Sequence, residues 1–84
     1  MRTVDFDDIV ARAQNGTNVL IQAKTLRKAR SAFGEFIDFL VDKRVICEIR
    51  MYDCRVTFPS GSFIRFVSDG QRFVPGFDGE VFHV

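Results

Sequence analysis

Four cations, Lys24, Arg27, Lys28 and Arg30, stand within one short segment of the chain. Grouped cationic side chains of this kind attract phosphates and carboxylates. At the start of a helix they add to the positive end of the backbone dipole, where free N–H groups already favour anions. The acids of the same segment, Glu35, Asp38 and Asp42, come later. That order opposes the dipole, and each misplaced exposed charge costs about 0.3–1 kcal/mol at low salt. A bound anion would relieve the cost. Binding of a phosphate backbone or an acidic protein therefore stands against the alternative of a solvated basic face balanced by acids elsewhere in the fold.

Other chemistries find less to work with. The one histidine, His83, lies next to Val84 on an apolar run, so no imidazole stands beside a nucleophile in the sequence. No G-x-x-x-x-G-K-[ST] and no G-x-G-x-x-G occurs among the six glycines. Asp7 and Asp8 suit a helix start, while Asp69 and Asp78 suit turns, which leaves no carboxylate pair for acid–base work. Cys47 and Cys54 have no further cysteine and no nearby histidine to complete a zinc site or a disulfide framework, and are expected as reduced thiols. No catalytic residue, metal or cofactor is expected.

These groups sit in 84 residues with 46 % hydrophobic and 27 % charged residues, the proportions of one small folded domain. A net charge of +1 supplies no whole-molecule attraction to nucleic acid or membrane, so any such attraction is local. The longest apolar runs, such as Val19-Leu20-Ile21, are far short of the roughly 18 residues a membrane span needs. The N-terminus turns acidic without an apolar signal segment, so a cytoplasmic location is expected.

The positioning elements follow from periodicity. Asp5 is an N-cap, Phe6, Ile9, Val10 and Ala13 repeat at helical spacing, and Asn15-Gly16 ends the helix near Gln14. Val19 to Ala23 reads as a buried strand. A second helix spans about Thr25 to Asp42 through Leu26, Ala29, Phe33, Phe36, Ile37 and Leu40, with Gly34 expected to mark a close packing contact. Alternation then predicts a half-buried strand carrying Val45, Cys47, Ile49 and Met51. A strand through Val56 and Phe58 follows, then a Pro59-Ser60-Gly61-Ser62 turn, a return strand from Phe63 to Val67, and a last strand from Glu80 to Val84. The expected fold is a single α/β domain, an α-β-α-β-β-β-β sandwich with a mixed sheet and a β-hairpin, covering 1–84. Among the ten phenylalanines, Phe63, Phe73 and Phe77 fall on the second hairpin face or in the following loop; with Arg65 they form a candidate protein contact or base-stacking surface, against the alternative that the loop folds back and these rings cap a small core.

Three segments resemble one family. Val19-Leu20-Ile21-Gln22-Ala23-Lys24-Thr25-Leu26-Arg27-Lys28-Ala29-Arg30 is similar to motif Ia of the large-terminase ATPases of tailed phages. Val56-Thr57-Phe58-Pro59-Ser60-Gly61-Ser62-Phe63-Ile64-Arg65-Phe66 resembles their TFxNGSxIxF hairpin, and Pro75-Gly76-Phe77-Asp78-Gly79-Glu80-Val81-Phe82-His83-Val84 resembles their approach to Walker B. The segments occur in the family's order over about Asn18 to Val84. Pro75 stands where the family has Arg, the Walker A loop has no counterpart, and the Walker B acidic pair is missing. The resemblance thus implies a truncated P-loop ATPase core that does not hydrolyse ATP, with the first and last strands parallel neighbours. It also implicates Lys24, Thr25, Arg27 and Lys28, because the motif Ia region lies near nucleic acid in related translocases.

Three functions are carried forward. The first is a non-enzymatic, phage-encoded accessory protein in the host cytoplasm that binds a packaging motor or host protein. The second is a small nucleic-acid-binding module using Lys24, Arg27, Lys28 and Arg30. The third is a structural fragment that self-associates through a sheet edge.

Overall fold

A computed structural model describes residues 4–69 and 77–84. Helix α1 covers Phe6–Gln14, strand β1 Val19–Ala23, helix α2 Leu26–Asp42, and strands β2 to β5 Glu48–Arg50, Arg55–Thr57, Phe63–Ser68 and Glu80–His83. The strands form one mixed sheet in the order β2-β3-β4-β1-β5. β1 runs parallel to both β4 and β5, which delivers the expected pairing of first and last strands, whereas β2, β3 and β4 run antiparallel in succession.

Local chemistry fixes the helix ends. Asp5 accepts a hydrogen bond from the Asp7 backbone N–H at 3.0 Å, and Thr25 accepts one from the Lys28 N–H at 3.1 Å. At the end of α1, Gly16 takes φ of 98°, and Thr17 N–H donates to the Arg12 carbonyl across the reversed turn. α2 ends in the same way with Val45 N–H donating to Leu40, although the left-handed position is held by Arg44 at φ 54°.

Both helices cover one face of the sheet. Ile9, Val10 and Ala13 from α1 and Ala29, Phe33, Phe36 and Leu40 from α2 form a single core with Val19, Ile21, Ala23, Val56, Ile64 and Phe66. Phe36 is fully buried at its centre, against the rings of Phe6 and Phe66. Burial of that ring contributes about 1.5–3 kcal/mol. The result is two layers: a helical layer on one side of the sheet and, among the described residues, no helix on the other.

Two expectations are corrected. Val45 and Cys47 do pack at the core margin, but β2 is only three residues long, all of them exposed, and Met51 lies in the turn that follows. The chain leaves the strand because residues 51–54 reverse it, with Cys54 at φ 50°. Gly34 makes no close contact, as a Cβ placed there would meet nothing within 4 Å. The loop expected to fold onto the core lies mostly outside the described residues.

Candidate anion-binding face

The alternation of a β-strand sends every second side chain to the face opposite the helices. From β1 these are Leu20 and Gln22, and from β4 Phe63, Arg65 and Val67, because Val19, Ile21, Ile64 and Phe66 take the core side. Register then does what sequence spacing alone does not show. Arg50 of β2 lies opposite Arg55 of β3, and Arg55 lies opposite Arg65 of β4. Three arginines thus form one row across three adjacent strands, roughly 4.8 Å per step.

Such a row is unfavourable on its own. Like charges set directly opposite destabilise a sheet by up to about 1 kcal/mol per pair. Neighbouring acids relieve part of this: Glu48 accepts from Arg50 Nε at 3.2 Å, and Asp53 lies 4.0 Å from Arg55. Arg65 has no ion pair among the described residues. The Nε atoms of Arg55 and Arg65 are also buried without a hydrogen-bond partner, an omission that costs on the order of 1–3 kcal/mol each before relaxation. Both guanidiniums border a cavity of about 380 Å³ whose wall also includes Asn18, Leu20, Phe63, Phe77 and Asp78.

Asn18 organises this corner. Its side-chain carbonyl accepts from the Phe63 N–H at 3.2 Å, and its backbone carbonyl accepts from the Glu80 N–H at 2.9 Å, so it joins the start of β1 to both neighbouring strands. Gly79 passes so close that a Cβ there would stand 2.2 Å from the Asn18 carbonyl oxygen. The Phe63 and Phe77 rings meet edge to face with centroids 6.1 Å apart.

A second, smaller cavity of about 240 Å³ links this face to the start of α2. It is lined by Leu26, Arg30, Tyr52, Asp53, Cys54, Arg65 and Phe66. Arg30 and Arg65 both act on Cys54: burial raises the thiol's pKa, and the two cations partly offset that rise. Cys47 is raised by burial alone. Both thiols are therefore neutral near pH 7, and among the described residues each makes weak donation to a backbone carbonyl, Cys47 to Val45 and Cys54 to Met51.

The candidate residues read from the sequence fall into two groups that this cavity connects. Lys24, Thr25, Arg27, Lys28 and Arg30 are all exposed at the beginning of α2, where the first turn carries no acid. Thr25 is occupied as the cap. Phe63, Arg65 and Phe77 come together on the open face, whereas Phe73 lies outside the described residues. Arg50, Arg55 and Asn18 were not singled out by type or spacing, and Asp78 was read only as a turn residue. The hairpin turn held the signal for Arg55: with reversal at Ser60, the residue five before it must face the one five after it.

Arg12 has a separate role. It forms ion pairs with Asp8 and with Glu80 and lies over the Phe82 ring at 5.6 Å, fastening α1 to β5. Hydrogen bonds to Asp8 first and Glu80 second raise its pKa. Elsewhere, the β2 edge exposes apolar side chains, with Ile46 80 %, Met51 62 % and Tyr52 98 % accessible. Among the described residues there is no group of three or more His, Cys, Asp or Glu able to hold a metal ion, and no helix is long and apolar enough to cross a membrane. Compared with known proteins, the chain matches no family model, no curated protein and no solved structure.

Proposed function

We propose that this protein is a non-enzymatic binding module whose ligand is the phosphate backbone of a nucleic acid. The row Arg50–Arg55–Arg65 carries the proposal. A sheet that sets three arginines opposite one another on adjacent strands accepts electrostatic strain that a string of phosphates relieves. Arg30 shares a cavity with Arg65, so the row continues into Lys24, Arg27 and Lys28 at the start of α2, where the positive end of the helix dipole adds to the attraction for an anion. The order β4-β1-β5, with all three strands parallel, agrees with the ATPase-like scaffold suggested by the terminase resemblance. On that scaffold the protein acts as a phage-encoded accessory factor in the host cytoplasm, placed near a packaging motor through the DNA they share.

The test is fluorescence anisotropy of labelled DNA over a salt series. Engagement of at least three phosphates gives a log–log salt slope of about −2 or steeper, and combined replacement of Arg55 and Arg65 by Gln weakens binding while the far-UV spectrum is retained. Absence of binding at low salt would overturn the proposal.

A second reading has its own observation. The edge of β2, unpaired among the described residues, with Ile46, Ile49, Met51 and Tyr52 beside it, suits a protein contact, either a motor or host protein or a second copy of the chain. Sedimentation at high concentration distinguishes a copy from a different partner. A monomer that Tyr52→Asp leaves unchanged excludes self-association.

A further inference from the structure

We infer that the open-face cavity receives one unstacked base together with its phosphate, which makes the protein a reader of single strands; the inference rests on the nucleic-acid reading proposed above. A phosphate needs only cations, and the arginine row and the α2 start provide them. The cavity offers more than that.

Its wall combines two guanidiniums, two half-buried phenylalanine rings, the Leu20 side chain, the Asn18 amide and the Asp78 carboxylate. Each part has a counterpart in a nucleotide. Arg55 and Arg65, with their unpartnered Nε atoms, match the phosphate. Phe63 and Phe77 offer the apolar and aromatic surface on which any base can stack. The Asn18 carbonyl oxygen is already engaged by the Phe63 N–H, leaving its NH₂ to donate toward a base acceptor. Asp78 has no ion pair or hydrogen bond among the described residues, and a carboxylate in a phosphate site would repel the ligand. Beside a base edge it accepts from an amino or ring N–H. At about 380 Å³ the cavity lies at the small end of the range for small-ligand sites. Duplex DNA keeps its bases stacked and paired, so it can reach the arginines but cannot fill the cavity without paying for extrusion.

The experiment compares three labelled probes of equal length at one low salt concentration: a single strand, its duplex, and an abasic strand with the same number of phosphates. Wild-type protein is expected to bind the single strand about tenfold more tightly than the abasic strand, and Phe63→Leu and Phe77→Leu are expected to bring that ratio of affinities to about one. Equal binding of all three probes by wild-type protein overturns the inference and leaves the phosphate reading in place, whereas binding of none overturns both. A base-dependent gain that survives in both folded leucine variants also overturns the inference, because the base is then held elsewhere. If a variant unfolds, the wild-type comparison of base-bearing and abasic strands still decides whether a base is held. Protection of Phe77 in aromatic NMR shifts on adding the single strand, absent with the abasic strand, then locates it.

Discussion

Replacing Arg65 with Met separates what the fold wants from what the ligand wants. Methionine preserves most of the apolar stem that packs along the sheet and removes only the guanidinium. In the unliganded protein the change deletes one like-charge opposition with Arg55, worth about 0.2–1 kcal/mol. It also removes a buried Nε without a hydrogen-bond partner, whose nominal cost of about 1–3 kcal/mol is reduced by the partial exposure of the rest of the side chain. The two effects have the same sign, and a net gain of about 1 kcal/mol is expected, equivalent to roughly 4–8 °C in Tm for a domain of this size. Thermal melts followed by circular dichroism read it directly, and the gain should shrink in high salt as the Arg–Arg repulsion is screened. DNA binding by the same variant should weaken, with the salt slope shallower by a little under one unit. A lower Tm would refute the reasoning, since it would mean that the guanidinium stabilises the sheet. A higher Tm with unaltered DNA binding would refute the assignment of the strain to a ligand.

Three further substitutions or conditions test the fold around the site. Gly34→Ala should stabilise by about 0.5–1 kcal/mol, because the position is helical and a methyl there meets nothing within 4 Å; a denaturant midpoint that falls would show an unrecognised contact. Gly79→Ala should destabilise by about 1–3 kcal/mol, because its Cβ would lie 2.2 Å from the Asn18 carbonyl and must push β5 away from β1; an unchanged urea midpoint would contradict this. The raised thiols of Cys47 and Cys54 give a pH dependence of definite sign. The unfolded chain loses these protons first, so their contribution is intact below the ordinary thiol range near pH 8.5 and is lost progressively as pH rises through the folded values. Urea midpoints should therefore decline from about pH 8 upward in wild type, and less so in the Cys54→Ala variant.

The helices were legible because each carried its signals locally. Asp5 and Thr25 cap α1 and α2 as their side-chain chemistry dictates, and Asn15-Gly16 supplied the left-handed turn. β1 was legible as a short branched run, and its place between two parallel neighbours agrees with its burial on both faces. β2 was misread because alternation at Val45, Cys47, Ile49 and Met51 persists through a segment where pairing stops. The reversal at residues 51–54 contains neither Gly nor Pro, and Cys54 holds the left-handed conformation that turn rules assign to Gly, Asn or Asp. Missing that turn hid Arg50 from Arg55. The Arg55–Arg65 pair, by contrast, was implicit in the Pro59-Ser60-Gly61 reversal and needed only the register to be counted.

That difference explains why the basic end of α2 stood out and the arginine row did not. A helix gathers neighbours in sequence, so four cations close together in the chain remain close in space. A sheet gathers residues from separate strands, and Arg50, Arg55 and Arg65 become one charge feature only once two turns and their registers are known. The two-layer architecture then gives the row its consequence. A helix packed on that side would have to bury three guanidiniums, at a desolvation cost that a small core of this kind does not offset. With no helix on that face among the described residues, Glu48, Asp53 and solvent moderate the charge, and Arg65, which makes no ion pair among those residues, is the side chain with most to gain from an anion.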